Sequence, residues 1–404
     1  MKILVLNSGS SSQKSRLYEL GGSLPDFPPD PLWEAKIEFN DKGASLQVRT
    51  SSGKTCEQQL SRSNRAVAVA RMLDQLVSGE TRVLADVSEI DVVGHRIVNG
   101  GRAFTKPTVI TRKVTKAIEE MAVFAPLHNR AELEGIAQIE QLCGSVRQVA
   151  VFDTGFHATL SEAASVYPGP YDWVKRGIRK FGFHGINHQY CAGRAAQLLR
   201  RNLAELKLVT CHLGNGCSLA AIRSGVSVDT TMGFTPLDGL MMGTRSGSVD
   251  PGILTYLLRR ERLNGKTMDD MLNTKSGLLG ISGVSSNMRD VVAAMKKGNA
   301  RAKLAFDIFV HRLRAGIGSM IAALNGIDAL VFTAGIGENS AEVRAAACAN
   351  LEFLGVAIDP GRNSASPLEQ DIAAAGSKVR VLVLEAQEDW AIARECWKLA
   401  DKST

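Results

Sequence analysis

No run of about eighteen uncharged apolar residues is present to cross a bilayer, and the lysines and arginines never gather into a polybasic block interleaved with aromatics. A membrane span and a nucleic-acid platform are therefore not expected, even though the formal charge is +7. Anionic small molecules suit that surplus better. The seven cysteines are odd in number, scattered, and form no C-x-x-C pair, so neither a disulfide frame nor a zinc site is predicted and a reducing cytoplasm is expected. After Met1-Lys2 only Ile3-Leu4-Val5-Leu6 precedes polar residues, too short for a secretory core of roughly 7–15 residues. That segment reads as a buried strand.

The common nucleotide fingerprints are also missing. Gly53-Lys54-Thr55 and Gly265-Lys266-Thr267 look like the ends of phosphate-binding loops, but Val48 and Arg260 stand where the upstream glycine is required. Gly214-Asn215-Gly216 and Gly335-Ile336-Gly337 lack the third glycine of a dinucleotide fingerprint, and no ribose-binding acid follows at the expected distance. A P-loop enzyme and a Rossmann dehydrogenase are both disfavoured.

What is present alternates between strand and helix signals over 404 residues, more than one core usually serves, so an α/β protein of two domains is expected. Strands are predicted at 2–6, 44–50, 90–93, 148–152, 207–211, 218–222, 329–332 and 380–384, and helices at 65–77, 131–142, 189–200, 302–323 and 341–352. A hairpin is expected around Asn40-Asp41-Lys42-Gly43. Leu4-Val5-Leu6 running into Asn7-Ser8-Gly9-Ser10-Ser11-Ser12 has an echo in Leu208-Val209-Thr210-Cys211 running into His212-Leu213-Gly214-Asn215-Gly216. Each is a strand, a small-residue turn and a further strand, which suggests two related domains offering N–H groups to phosphate.

Several stretches concentrate chemistry. Asn7 to Lys14 sets hydroxyls and a cation after a buried strand, as phosphate contacts require, with Asn7 able to meet a metal or its water. Thr333 to Asn339 reads as a strand end, a glycine turn against which a flat base can lie, and a helix capped by Asn339 or Ser340. Arg96 and Arg245 each stand among glycines, suited to gripping a carboxylate or a phosphoryl group by forked hydrogen bonds. Asp153 follows an apolar strand, and His184 lies between glycines and aromatics. His184 and His188 are four apart, but Gly185 and the missing acid make a zinc helix improbable.

In this order the stretches closely resemble the acetate kinase family, as do Ala125-Pro126-Leu127-His128-Asn129, Val228 to Leu237 and Ser276 to Gly283. The resemblance covers nearly the whole chain. It implies an α/β fold of two related ribonuclease H-like domains of the actin and sugar-kinase superfamily with a cleft between them, and a cytoplasmic homodimer. The N-terminal domain would comprise 1–149 plus 388–404, with the phosphate and metal loop, the acetate side and a returning C-terminal helix; 150–387 would bind nucleotide and form the dimer. The reaction implied is reversible, in-line transfer of the ATP γ-phosphoryl group to acetate, giving acetyl phosphate and ADP. By the same resemblance Asn7 and Glu388 would hold Mg²⁺, with Mn²⁺ as an alternative, while Ser10, Ser12 and Lys14 approach the phosphates. Arg96 and Arg245 would grip acetate and the moving group, Asp153 would act as acid/base or orienting residue, and His184 would donate to an equatorial oxygen. His212, Gly214, Asn215 and Gly216 would line the triphosphate, and Asn287, Arg289, Gly335, Ile336, Gly337 and Asn339 the adenosine. Val98, Leu127, His128, Phe183 and Pro236 would form the substrate side, most of them around the methyl.

The physics is compatible with those roles, because a loose phosphoryl-transfer transition state chiefly needs alignment, cations and donors. Acetate is already ionised at neutral pH, so Asp153 is expected to orient groups more than to remove a proton. The sequence departs from the family pattern at Asn99 (usually histidine), Arg130 (proline), Ile186-Asn187 (Thr-Ser), Asn287 (aspartate) and Gln387-Glu388-Asp389 (Asn-Glu-Glu). Asn99 and Arg130 bear on the substrate loops, Asn287 on nucleotide preference. Two alternatives are a propionate or butyrate kinase and a nucleotide-binding regulatory protein without turnover. The presence of Arg96, Asp153, His184 and Arg245 together argues against the latter.

Overall fold

The computed structural model describes residues 1–9, 12–40, 43–61, 65–122, 126–365 and 368–401, with the side chains of 40, 61, 126–128 and 401 outside that description. The chain divides into two compact units, residues 1–155 with 387–404, and residues 156–386.

The first unit is built on strands β1 (Lys2–Ser8), β2 (Ser12–Glu19), β3 (Trp33–Asn40), β4 (Gly43–Thr50), β5 (Thr55–Ser61), β6 (Val92–Ile97), β7 (Thr108–Val109) and β8 (Arg147–Phe152). They form one sheet in the order β5-β4-β3-β2-β1-β6-β8-β7. From β1 to β5 the chain meanders antiparallel; β1, β6 and β8 then run parallel, and β7 closes the edge antiparallel. β1 is buried almost throughout, as expected of a central strand covered on both faces. The helix Glu388–Asp401 packs on β1 and β6. It comes so close that a Cβ on Gly94 would lie 2.6 Å from Cys396 Sγ and 2.7 Å from Ile392 Cγ2, which is why β6 carries a glycine there.

The second unit repeats the plan. Strands β9 (Lys207–Leu213), β10 (Cys217–Arg223), β11 (Val226–Thr230), β12 (Ala329–Thr333), β13 (Gln370–Asp371) and β14 (Arg380–Val383) lie in the order β11-β10-β9-β12-β14-β13. Three antiparallel strands, in place of five, lead into parallel partners, here β9, β12 and β14, again with an antiparallel strand at the edge. β1/β2 and β9/β10 thus occupy equivalent places, and the echo between their turns reflects a repeated architecture. The helix Ala300–Leu324, capped by Asn299, buries Ala302, Ala305, Phe306, Phe309, Leu313, Ile317 and Met320, the i, i+3, i+4 stripe of an amphipathic helix, and packs on β10.

One expectation is corrected. Gly335-Ile336-Gly337 is no glycine turn: Ala334–Asn339 is a short helix that starts directly from β12, and Ser340 caps the next helix, Ala341–Cys348, by accepting the Val343 N–H at 3.3 Å. Ala334 takes the turn instead, at φ 64°, with its N–H donated to Glu338 Oε1 at 2.8 Å. Glu338 Oε1 also accepts the Ala386 N–H at 2.8 Å, so a side chain one helical turn ahead fixes the start of this helix.

Candidate active site

In the first unit four elements bring charged groups to the carboxyl ends of the parallel strands, a favoured place for ligands in α/β sheets. Arg96, inside β6, donates from Nη2 and Nε to Asp153 Oδ2 at 2.5 and 3.0 Å, and from Nη1 to Asn7 Oδ1 at 3.2 Å. Asn7, near the end of β1, donates from Nδ2 to Asp389 Oδ1 at 2.9 Å and Glu388 Oε2 at 3.1 Å. Burial alone would lower the Arg96 pKa, but the Asp153 and Glu388 carboxylates more than offset it and the pKa is raised. Arg96 is held as a permanent cation. Asn7 and Glu388 carry an amide and a carboxylate oxygen, donor types that fit Mg²⁺, with the Asn7 Oδ1 here accepting from Arg96 and its Nδ2 donating to Glu388.

Ser12 opens β2, and its carbonyl accepts the Gly9 N–H at 2.8 Å. Lys14 is exposed on β2, and Ser10 lies outside the described residues. Val98, just beyond β6, is buried, and its N–H is donated to Glu132 Oε1 at 3.0 Å. The Leu127 and His128 side chains lie outside the description, although their backbone opens the helix Pro126–Cys143. Asn99 is fully buried with its Oδ1 accepting the Gly101 N–H at 2.8 Å, while Arg130 is exposed.

Glu132 was not singled out by sequence, and nothing in its local pattern marks it. Burial pushes its carboxyl up to about 8, against the Val98 N–H and Arg96, which pull the other way. A carboxyl group whose pKa is higher folded than unfolded binds more protons in the native state, so its contribution to stability is lost as pH rises. Glu132→Gln is expected to gain thermal stability over wild type progressively from about pH 4.5 to about pH 8, read as Tm against pH. An unchanged Tm difference across that window would refute the assignment.

In the second unit His184 stands at φ 58°, ahead of the helix Gly185–Leu199. Left-handed backbone at a residue with a Cβ costs on the order of 1–3 kcal/mol, and here it lifts the ring out of the helix. His157 holds the preceding carbonyl, its Nε2 lying 3.1 Å from Phe183 O, and Phe183 itself is buried. The His184 ring stacks on His212 with centroids 4.0 Å apart and an interplanar angle of 13°. Asn187, at one of the departures from the family pattern, is buried and donates from Nδ2 to His212 Nδ1 at 2.8 Å. A Cβ placed on Gly216 would lie 3.3 Å from His184 Nε2 and 3.5 Å from Arg245 Nη1, so both groups border the β9–β10 turn. Arg245 Nη1 donates to Pro236 O at 3.4 Å. Gly243 is required because Asn215 Oδ1 occupies the place of its missing Cβ.

Gly214, Asn215, Asn287, Arg289, Gly335, Ile336 and Asn339 line one cavity of roughly 640 Å³, rimmed by the Lys296–Glu342 ion pair at 2.6 Å. That volume lies within the usual range of ligand sites. Asn287 also caps the helix Met288–Lys296 by accepting the Arg289 N–H at 2.9 Å. His212 and Gly216 are not among the lining residues, and Gly337 is buried beneath it, its carbonyl accepting from the fully buried Arg344 at 2.8 Å. Sequence reasoning missed Arg344, Lys296 and Glu342, whose roles depend on helix packing that no local motif encodes.

Two units sharing one sheet plan, one with a nucleotide-sized cavity and the other with an arginine–carboxylate cluster, define a two-domain α/β phosphotransferase. The acetokinase family profile matches residues 2–394. Acetate kinase of Gloeobacter violaceus is 59% identical over 402 residues, covering 98% of this chain and 99% of that protein, and acetate kinase of Trichormus variabilis is 55% identical over 405 residues, covering all of both. Among solved structures, Porphyromonas gingivalis acetate kinase superposes with a TM-score of 0.89 at 39% identity, covering 99% of each chain. A propionate kinase from Francisella tularensis gives 0.90 at 37%, covering 98% of this chain and 99% of that one. The chain belongs to the acetokinase family.

Proposed function

We propose that this protein is an acetate kinase, transferring the γ-phosphoryl group of ATP reversibly to acetate and giving acetyl phosphate and ADP. The observation that carries the reading is family membership across nearly the full length, with Arg96 and Asp153 paired in one unit and His184 and Arg245 bordering one turn in the other. Arg96 and Arg245 balance the charge of the carboxylate and of the moving group, and His184 donates to one of its equatorial oxygens. Asp153, bonded through Oδ2 to two nitrogens of Arg96, orients that cation; acetate brings no proton to abstract. Asn7 and Glu388 would hold Mg²⁺, which would supply charge neutralisation on the phosphates. Val98, Phe183 and Pro236 favour a short acyl chain, with Leu127 and His128 assigned to the same side. One methylene is worth only about 1–3 kcal/mol, so propionate is expected to react more slowly than acetate without being excluded. The cavity lined by Gly335 and Ile336 takes adenosine, Ser10, Ser12, Lys14 and His212 serve the phosphates, and the working form is a cytoplasmic homodimer.

Trapping acetyl phosphate as its hydroxamate, over a panel of acids and nucleotides with and without Mg²⁺, tests the reading. Product that needs ATP, Mg²⁺ and acetate is expected; ATP binding without turnover on any short acid would overturn it. For the adenosine site, a side chain at Gly335 meets no atom within 4 Å at its Cβ, so Gly335→Leu is expected to fold normally. It should weaken ATP binding by about tenfold or more in calorimetry through lost cavity volume. Unaltered affinity would place adenosine elsewhere.

A further inference from the structure

We propose that Ser218, His188 and Thr210 form a hydrogen-bond relay that fixes His184 as its Nε2–H tautomer, making these three positioning residues for phosphoryl transfer. The proposal rests on the kinase reading, since it gives the relay something to serve. Its geometry is a continuous chain. His184 Nδ1 lies 2.9 Å from Ser218 Oγ, Ser218 Oγ lies 2.8 Å from His188 Nε2, and His188 Nδ1 lies 2.7 Å from Thr210 Oγ1. Ser218 on β10, Thr210 on β9 and His188 on the helix Gly185–Leu199 are all buried, so no solvent competes for these bonds.

A chain of hydroxyls and neutral imidazoles has two consistent polarities, because each ring carries one N–H and one lone pair. In one, Thr210 donates to His188, His188 to Ser218 and Ser218 to His184 Nδ1, which leaves the proton of His184 on Nε2. In the other every bond reverses, and Nε2 carries a proton only if the ring becomes a cation. The surroundings decide between them. Charged and titratable groups facing His184 are Arg245 beside its Nε2, His212 stacked on its face, and His188 through Ser218. A second positive charge beside the Arg245 guanidinium and against another imidazole is opposed by Coulomb repulsion. Burial, with His157 and His212 nearby, holds His188 well below the ordinary histidine range, so the middle of the chain stays neutral too. An Nε2–H donor, which the kinase reading needs, is therefore supplied without a second positive charge only by the first polarity.

The neighbouring ring reaches the same state by a different route. Asn187 Nδ2 donates to His212 Nδ1, which leaves the His212 proton on Nε2, and a Cβ on Gly214 would lie 3.7 Å from that nitrogen. Two stacked rings therefore turn Nε2–H donors toward the Gly214–Gly216 turn without either carrying charge. A neutral donor persists at alkaline pH, where an imidazolium would be lost.

The test combines imidazole ¹H–¹⁵N long-range correlation spectra of the full-length enzyme with steady-state kinetics of Ser218→Ala, Ser218→Thr and Thr210→Val. Wild-type His184 is expected as the Nε2–H tautomer at pH 8. Ser218→Ala is expected to mix the tautomers and lower kcat on the order of 10- to 100-fold at that pH, as loss of a group that fixes a histidine tautomer does elsewhere. KM for ATP and acetate should change little. Ser218→Thr keeps the hydroxyl and should restore most of the rate, and Thr210→Val should fall between. A wild-type Nδ1–H tautomer, or a Ser218→Ala variant whose His184 tautomer and kcat match wild type, overturns the relay. Absence of kinase activity in wild type with the Nε2–H tautomer present would instead overturn the kinase reading and leave the relay standing; if Ser218→Ala does not fold, the spectra and Thr210→Val still decide.

Discussion

Replacing Arg96 with leucine is expected to lower kcat/KM for acetate by about 10³-fold or more and to destabilise the first unit by about 3–5 kcal/mol. The two effects have separate causes. Asp153 is 1% exposed and its Oδ2 accepts two bonds from Arg96, so the substitution leaves a carboxylate buried without its cation. Arg96 also reaches Asn7 and lies 4.0 Å from Glu388, so its loss frees the pair assigned to the metal from the group that holds them in place. Arg96→Lys should recover much of the stability, because a charge remains, but little of the rate, because an ammonium cannot make the planar fork. Adding Asp153→Asn to Arg96→Leu should restore part of the stability and none of the activity. Denaturant melts and initial rates on the four proteins check this; a double variant no more stable than Arg96→Leu would refute the account of the buried charge.

Which of these parts the sequence discloses depends on whether a residue acts through its neighbours in the chain or across the fold. β1, β9 and β12 are apolar runs that end in small residues, and their strand character follows from that pattern. The hairpin about residue 40 is legible for the same reason, since β3 and β4 pair across it. Arg96 was visible as an arginine among glycines, but not as a half-buried member of a central strand, because its partners come from β1, the end of β8 and a helix more than 290 residues later. The short helix after β12 was read as a turn because glycine argues against helix locally. Glu338 overrides that preference through two backbone N–H groups. Ser218 and Thr210 are a serine and a threonine in apolar strands, and only the register of β9 against β10, with the helix packed over them, makes them partners of histidines. Glu132 and Arg344 are charged residues on helices, where solvent exposure is the default expectation, and only packing reveals their burial.

Arg245 offers the complementary case, a large kinetic loss at a loop whose backbone is shaped by other residues. Its Nη1 donates to the Pro236 carbonyl, a bond that needs no charge, and its own carbonyl accepts the Met242 N–H at 3.1 Å, which is independent of the side chain. The loop is instead shaped by its glycines, Gly243 beneath Asn215 and Gly247 at φ 70°. Arg245→Ala is expected to lower kcat about 10³-fold, the scale on which one well-placed guanidinium acts in phosphoryl transfer. KM for ATP should move far less, because Arg245 is not among the residues lining the cavity proposed for adenosine. Arg245→Lys keeps the charge but loses the fork, and should lie about 10²-fold below wild type. Adding guanidinium ion to Arg245→Ala should return part of the rate and should do nothing for wild type. If the alanine variant instead kept its kcat, Arg245 would be a loop anchor, and the charge on the migrating group would have to be met by the other groups proposed for it.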